Sequence, residues 1–186
     1  MFGHLKISKR FNSLRWFYGV LILKLFITSP LEAEETSKDK LEVAFIYQFT
    51  SYIEWPTPGK NKFQISTLGT AANTSLSADS WNELSTKLIK GQPIEIHLDA
   101  KTDIARKSQI VLFETKDTSE LKQMIKHFAG SGALTISEGE GFGELGVMIN
   151  FFYEDNRLRF EINRGACEKE KIKVGPQLLK LAKIVE

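Results

Sequence analysis

The chain has 186 residues, 25 basic and 23 acidic, with a formal charge of +2. That length suits one domain with a real core. The near balance excludes the concentrated basic face that nucleic-acid binding needs, and a single cysteine, Cys167, excludes an intramolecular disulfide.

Lys6, Lys9, Arg10 and Arg15 precede an apolar run from Trp16 to Thr28, interrupted by Lys24, and Ser29-Pro30-Leu31-Glu32-Ala33 follows. A basic start, a short apolar middle and a small last residue predict a secretory signal peptide over 1–33, cut after Ala33. The rival is a membrane anchor, but the run is 13 residues long, and a spanning helix needs about 20. Loss of 1–33 removes five basic residues and one acidic one, which leaves 153 residues carrying −2. The mildly basic pI thus belongs to the leader. Cys167 is expected as a buried thiol, with pairing between chains as the alternative.

Residues 34–40 are polar and read as a disordered linker ahead of a domain over 41–186. Leu41, Ala44, Phe45, Gln48, Phe49, Tyr52 and Ile53 recur at helical spacing and predict a helix. It should stop at Trp55, because Pro56 disfavours helical geometry in the residue before it. Phe63 to Leu68 reads as a strand with Phe63 and Ile65 inward. Asp79 to Ile89 reads as a helix with Trp81, Leu84 and Leu88 on one side. Ile94 to Leu98 alternates apolar and polar residues, and Gln109 to Phe113 is apolar enough for a strand covered on both faces. Asp117 and Glu120 approximate a capping box that opens a helix to Phe128, with Leu121, Met124, Ile125 and Phe128 inward and Gly130 and Gly132 closing it. Ala133 to Ser137 is the next strand. Residues 147–153 and 157–163 predict a hairpin across Asp155-Asn156, both of which tolerate positive φ. Pro176 to Val185 predicts a final helix with Leu178, Leu179, Ala182 and Val185 toward the core. The alternation from 63 to 137 argues for a single α/β domain. The expected fold is a mixed sheet, largely parallel, with a C-terminal antiparallel hairpin and flanking helices.

Signals for chemistry are sparse. After the leader only His97 and His127 remain, and neither has a neighbour at metal-ligand spacing. The sequence contains no Gly-x-Ser-x-Gly and no phosphate loop. Glu138, Glu140 and Glu144 crowd a glycine-rich loop and read as a solvated rim, with cation binding as the alternative. Gly141-Phe142-Gly143-Glu144-Leu145-Gly146 matches a dinucleotide fingerprint in spacing, but a strand-like run follows it where the fingerprint requires a helix. No catalytic residue, cofactor or metal is expected.

Contact candidates come from the hairpin and the first helix. Leu158, Phe160 and Ile162 share one hairpin face, while Arg159, Glu161 and Asn163 share the other, beside Asn150. That polar row either recognises a partner or small ligand, or bonds the last helix and fixes the tail. Trp55 is either a buried plug or an exposed anchor for another chain. Tyr47 and Tyr52 carry the same ambiguity.

Ala44-Phe45-Ile46-Tyr47 with Phe49, and Glu54-Trp55-Pro56, resemble the opening signature of the YfiR family of periplasmic repressors. Strand 63–69, Leu134-Thr135-Ile136-Ser137, Gly141-Phe142, Gly146 and Met148-Ile149-Asn150-Phe151 resemble its middle. Leu158 to Asn163 and Leu178 to Ala182 resemble its tail, so the likeness runs from about Leu41 to Val185. The resemblance implies a periplasmic, dimeric, non-enzymatic regulator. It would bind the sensor part of an inner-membrane diguanylate cyclase and hold it inactive, lowering cyclic di-GMP and biofilm formation. An outer-membrane lipoprotein would sequester the repressor. With Cys167 alone, redox control through an internal disulfide is excluded. Two rivals remain open. One is a periplasmic module that binds a small molecule and signals to a sensor kinase or transporter. The other is a secreted hydrolase with two carboxylates converging in a cleft.

Overall fold

The computed structural model describes residues 30–56, 61–69 and 76–186. The basic and apolar stretches of the expected leader lie outside the described residues. Contacts divide the chain into Met1–Glu35 and Thr36–Glu186, and the fold is that of the second unit.

Helix α1 is Pro30–Phe49. Strands β1 (Ile53–Glu54) and β2 (Phe63–Gly69) follow, then helix α2 (Ala78–Ser85), β3 (Leu88–Ile89) and β4 (Gln92–His97). Helix α3 (Thr102–Ala105), β5 (Ile110–Glu114), α4 (Thr118–Phe128) and β6 (Leu134–Glu138) complete the middle. The last third holds β7 (Ile149–Glu154), β8 (Arg157–Asn163), α5 (Arg164–Lys169), β9 (Lys173–Val174), α6 (Pro176–Leu179) and β10 (Lys183–Val185).

Eight strands form one sheet in the order β10-β8-β7-β6-β5-β2-β4-β3. Neighbours run parallel except in the β7–β8 hairpin and at the short β3–β4 edge. The expected mixed, largely parallel sheet is therefore found. The run β4-β2-β5-β6-β7 reverses direction between β2 and β5, the pattern of a doubly wound sheet, whose crevice lies outside the carboxyl ends of its strands.

Alternation along the central strands separates two cores. Ile110 and Leu112 of β5 join Val43, Ile46 and Phe49 of α1 and Trp81 and Leu84 of α2. Val111 and Phe113 of the same strand join Ala105 of α3 and Leu121, Met124 and Phe128 of α4. A strand buried on both faces has no solvent-facing side, which is why 109–113 reads as uniformly apolar.

The structure departs from expectation at both ends. Residues 34–40, expected as a disordered linker, lie within α1. The buried side of α1 is Asp39, Glu42, Val43, Ile46 and Phe49, whereas Leu41, Ala44 and Gln48 of the expected stripe are exposed. Both sets satisfy helical spacing. Phe49 belongs to both and packs 4.8 Å from Phe160 and 5.8 Å from Phe151, while Val43 and Ile46 take the remaining places in the core. The helix also ends six residues early. The N–H groups of Thr50, Ser51 and Tyr52 bond back three residues to the carbonyls of Tyr47, Gln48 and Phe49, a tightened last turn. Ile53 and Glu54 then pair antiparallel with Val174 and Lys173. Helix α2 stops at Ser85, and Leu88, expected inward, is exposed on the edge strand β3.

The largest correction is the tail. Pro176 does open a helix, but it makes a single turn. Residues 183–185 instead lie parallel to Glu161, Ile162 and Asn163. Leu178 and Val185 are buried as expected, so both arrangements satisfy the apolar pattern. What selects the strand is the open edge of β8, whose unpaired N–H and C=O groups need partners. Helices α3 and α5 and strands β3 and β9 are too short to leave a period in the sequence.

Candidate functional site

Asp155 and Asn156 turn the hairpin with φ of 49° and 58°, the two positive values that a two-residue turn of this hand requires. The register pairs Asn150 with Glu161 and Phe151 with Phe160. Phe151, Phe160 and Ile162 lie in the core under α1. The opposite face carries Asn150, Arg159, Glu161 and Asn163, as the alternation predicts.

Three of those four residues form one buried network. Asn150 is fully buried, and Glu161 is 2% exposed. The Ser137 hydroxyl donates to Asn150 Oδ1 at 2.8 Å. Asn150 Nδ2 donates to the carbonyl of Gly139 at 2.6 Å and to Glu161 Oε1 at 2.9 Å. Glu161 Oε1 also accepts from the Gly143 N–H at 3.0 Å, and Lys183 Nζ sits 3.4 Å from Oε2. Asn163 Nδ2 donates to the Gly143 carbonyl at 2.9 Å, while its Oδ1 accepts from the Ala166 N–H at 2.7 Å and caps α5. The network therefore clamps the 139–146 loop from below. A side chain at Gly143 would displace Glu161, since a Cβ would stand 2.7 Å from its Oε1. The row does fix the tail, but through α5 and β10 rather than through a final helix. Arg159 stands apart. It is exposed, with Glu154 3.7 Å away.

The glycine loop is followed by strand β7 and does not open a helix. Glu138 is half-buried beside Lys116, whose Nζ lies 3.3 Å from Oε2, while Glu140 and Glu144 are exposed. Among the described residues no group of three His, Cys, Asp or Glu side chains is arranged to hold a metal ion. No helix among them is long and apolar enough to cross a membrane.

Trp55 is half-buried and tethered. Its Nε1 donates to the Gln109 carbonyl at 2.7 Å, and its ring meets Phe63 edge-on at 5.1 Å. Lys90 Nζ donates to the Ile53 carbonyl at 2.6 Å and lies 5.1 Å from the Trp55 ring centre. Tyr47 donates to the Leu88 carbonyl at 3.1 Å. Cys167 is buried, and burial pushes its thiol up to about 12, which keeps it protonated and inert.

A cluster at the carboxyl ends of β5 and β6 escapes the sequence reading. Glu42 of α1 is 4% exposed and accepts from the Tyr153 hydroxyl at 3.1 Å. Burial, and then the nearby Glu138 carboxylate, raise its pKa from 4.5 to about 7. Glu42, Glu114, Lys116, Glu138 and Phe151 line a cavity of about 20 Å³. That is room for one water and too little for a substrate. The available signal was a carboxylate on the apolar stripe Glu42-Ile46-Phe49-Ile53.

Residues 39–183 match the YfiR/HmsC-like family, a span that runs from within α1 to the first residue of β10. The chain belongs to the YfiR/HmsC-like family. Membership supports a regulatory theme linked to cyclic di-GMP. Among curated proteins none matches the chain. A conserved domain protein from Vibrio cholerae O1 biovar El Tor has a similar fold, with a TM-score of 0.53 at 13% identity over 79% of this chain and 60% of that one. The ABC domain from Streptococcus pneumonia in complex with L-Trp has a TM-score of 0.52 at 12% identity, over the same shares. This YfiR/HmsC-like chain thus spans 60% of the length of those structures, and the likeness concerns fold alone.

Proposed function

We propose that this protein is a periplasmic, non-enzymatic repressor that binds the periplasmic part of an inner-membrane diguanylate cyclase and holds it inactive. The observation that carries the reading is family membership over residues 39–183. The leader over 1–33 delivers the protein, a homodimer is the acting form, and an outer-membrane lipoprotein is the releasing partner. Of the five contact candidates, Arg159 and the open side of Trp55 are accessible to a partner. Asn150, Glu161 and Asn163 act beneath the surface by fixing the 139–146 loop. Intracellular cyclic di-GMP, measured with and without the gene, tests the proposal. A rise on deletion, reversed by the secreted form, is the expected result. An unchanged level under conditions where the protein is made would refute repression.

A second reading has one observation in its favour. A cleft of about 690 Å³ opens between α4 and α5, where Phe128 and Met148 meet Arg164 and Lys169. The walls mix apolar side chains with Arg164 and Lys169 and with the carboxylates of Glu144, Glu168 and Glu170, a lining that suits a small polar molecule. In that reading the protein reports a small molecule to a sensor kinase or transporter. A ligand that raises the melting temperature, with no effect of deletion on cyclic di-GMP, would favour it.

A further inference from the structure

Helix α1 is fastened to the sheet by apolar and polar contacts that lie at different places along its length. Its C-terminal half inserts Ile46 and Phe49 into the core. Its earlier part, from Lys38 to Glu42, rests on polar groups. The Asp39 carboxylate accepts from the Ser77 N–H at 3.0 Å and so reaches the start of α2. Glu42 meets the Tyr153 hydroxyl, and Lys38 Nζ lies 5.2 Å from the ring centre of the same tyrosine.

The surroundings of Glu42 are predominantly acidic. Asp39 lies one turn before it on α1 and is buried. Glu114 and Lys116 approach from β5 and the turn beyond it, Glu138 from β6, and Tyr153 from β7. Lys116 is already engaged by Glu138, through both its carboxylate and its carbonyl. Ionised Glu42 would meet the Glu138 and Asp39 carboxylates at low dielectric, with Lys116 turned to Glu138. Protonated Glu42 meets none of that repulsion and can itself donate a hydrogen bond.

We propose that Glu42 is a proton-controlled latch, which holds the Lys38–Val43 stretch of α1 against the ends of β6 and β7 when protonated and loosens it when ionised. The raised pKa of about 7 puts the change within a range that a compartment open to the surroundings experiences. The cavity beside the carboxyl has room for the single water that would carry the proton. The relevance of that pH range rests on the proposed periplasmic location, whereas the latch itself is tested on the chain alone.

The test is backbone hydrogen exchange over residues 38–46, followed from about pH 5.5 to about pH 8 and corrected for intrinsic rates. Protection in the wild type should fall by about tenfold or more across that range, as a carboxyl that titrates near neutrality demands. Glu42→Gln should keep the acid-state protection at every pH, and Tyr153→Phe should keep the pH response with lower protection throughout. Carbon-13 NMR of the Glu42 carboxyl in the unaltered protein supplies a readout that does not depend on a variant folding. A midpoint near neutrality supports the latch. A midpoint in the ordinary carboxylate range, or protection that does not change with pH, overturns it.

Discussion

The two faces of the β7–β8 hairpin are buried to a similar depth by different means. One face presses Phe151 and Phe160 against Phe45 and Phe49 of α1, with ring centres 4.8 to 6.3 Å apart. The other buries Asn150, Glu161 and Asn163 under a glycine loop, with side-chain atoms of all three bonded to loop or cap groups. Apolar contact is non-directional, so the aromatic face tolerates a shift and loses stability by degrees. A polar network needs every partner in place, and a half-satisfied one costs more than none. The aromatic face therefore supplies stability, while the polar face specifies where the loop sits.

The largest loss is expected on the aromatic side. Phe49→Ala should cost about 4 kcal/mol, because it empties a site surrounded by three rings, and urea unfolding measures it. On the polar side Glu161→Ala strands the Gly143 N–H and the Asn150 amide and leaves Lys183 without its carboxylate. The expected cost is about 3 kcal/mol, accompanied by faster amide exchange in residues 139–146. A loop that remains protected in that variant would show that the network does not position it.

The aromatic face has an ionisable neighbour in Glu42, at the Tyr153 end. Its pKa in the folded protein is about 7 against an ordinary 4.5. Between those values the folded state keeps a proton that the unfolded chain has lost. Stability should therefore fall as pH rises from 4.5 to 7, by an amount on the order of 3 kcal/mol. Glu42→Gln should flatten that slope in thermal melts.

Smaller effects sharpen the contrast. Asn156→Ala places a side chain that resists positive φ in the hairpin turn and should cost about 1 kcal/mol, equally for both faces. Arg159→Ala removes an exposed pairing with Glu154 and should change stability by less than about 0.5 kcal/mol. Its interest lies in binding. A large loss of cyclase repression with an unchanged melt would place Arg159 in the partner surface.

The sequence by itself determined the elements whose pattern is long enough to have a period. Alternation across 157–163 placed Phe160 and Ile162 on the core face and Glu161 and Asn163 opposite, beside Asn150, because side chains in a strand change sides at every residue. Asp155-Asn156 announced the turn, and the unbroken apolar run at 110–113 announced a strand covered on both sides. The family signature was legible for the same reason, being spread through these elements in order. Tertiary structure decided the rest. Residues 183–185 suit a helix or a strand equally, and the open edge of β8 chose the strand. The α1 stripes share one period, and the sheet's core took Val43 and Ile46 rather than Leu41 and Ala44. Glu42 looks like a solvated carboxylate in the sequence. Only the approach of Glu138 and Tyr153, about a hundred residues further along the chain, turns it into a buried acid, since burial depends on neighbours that local pattern does not name.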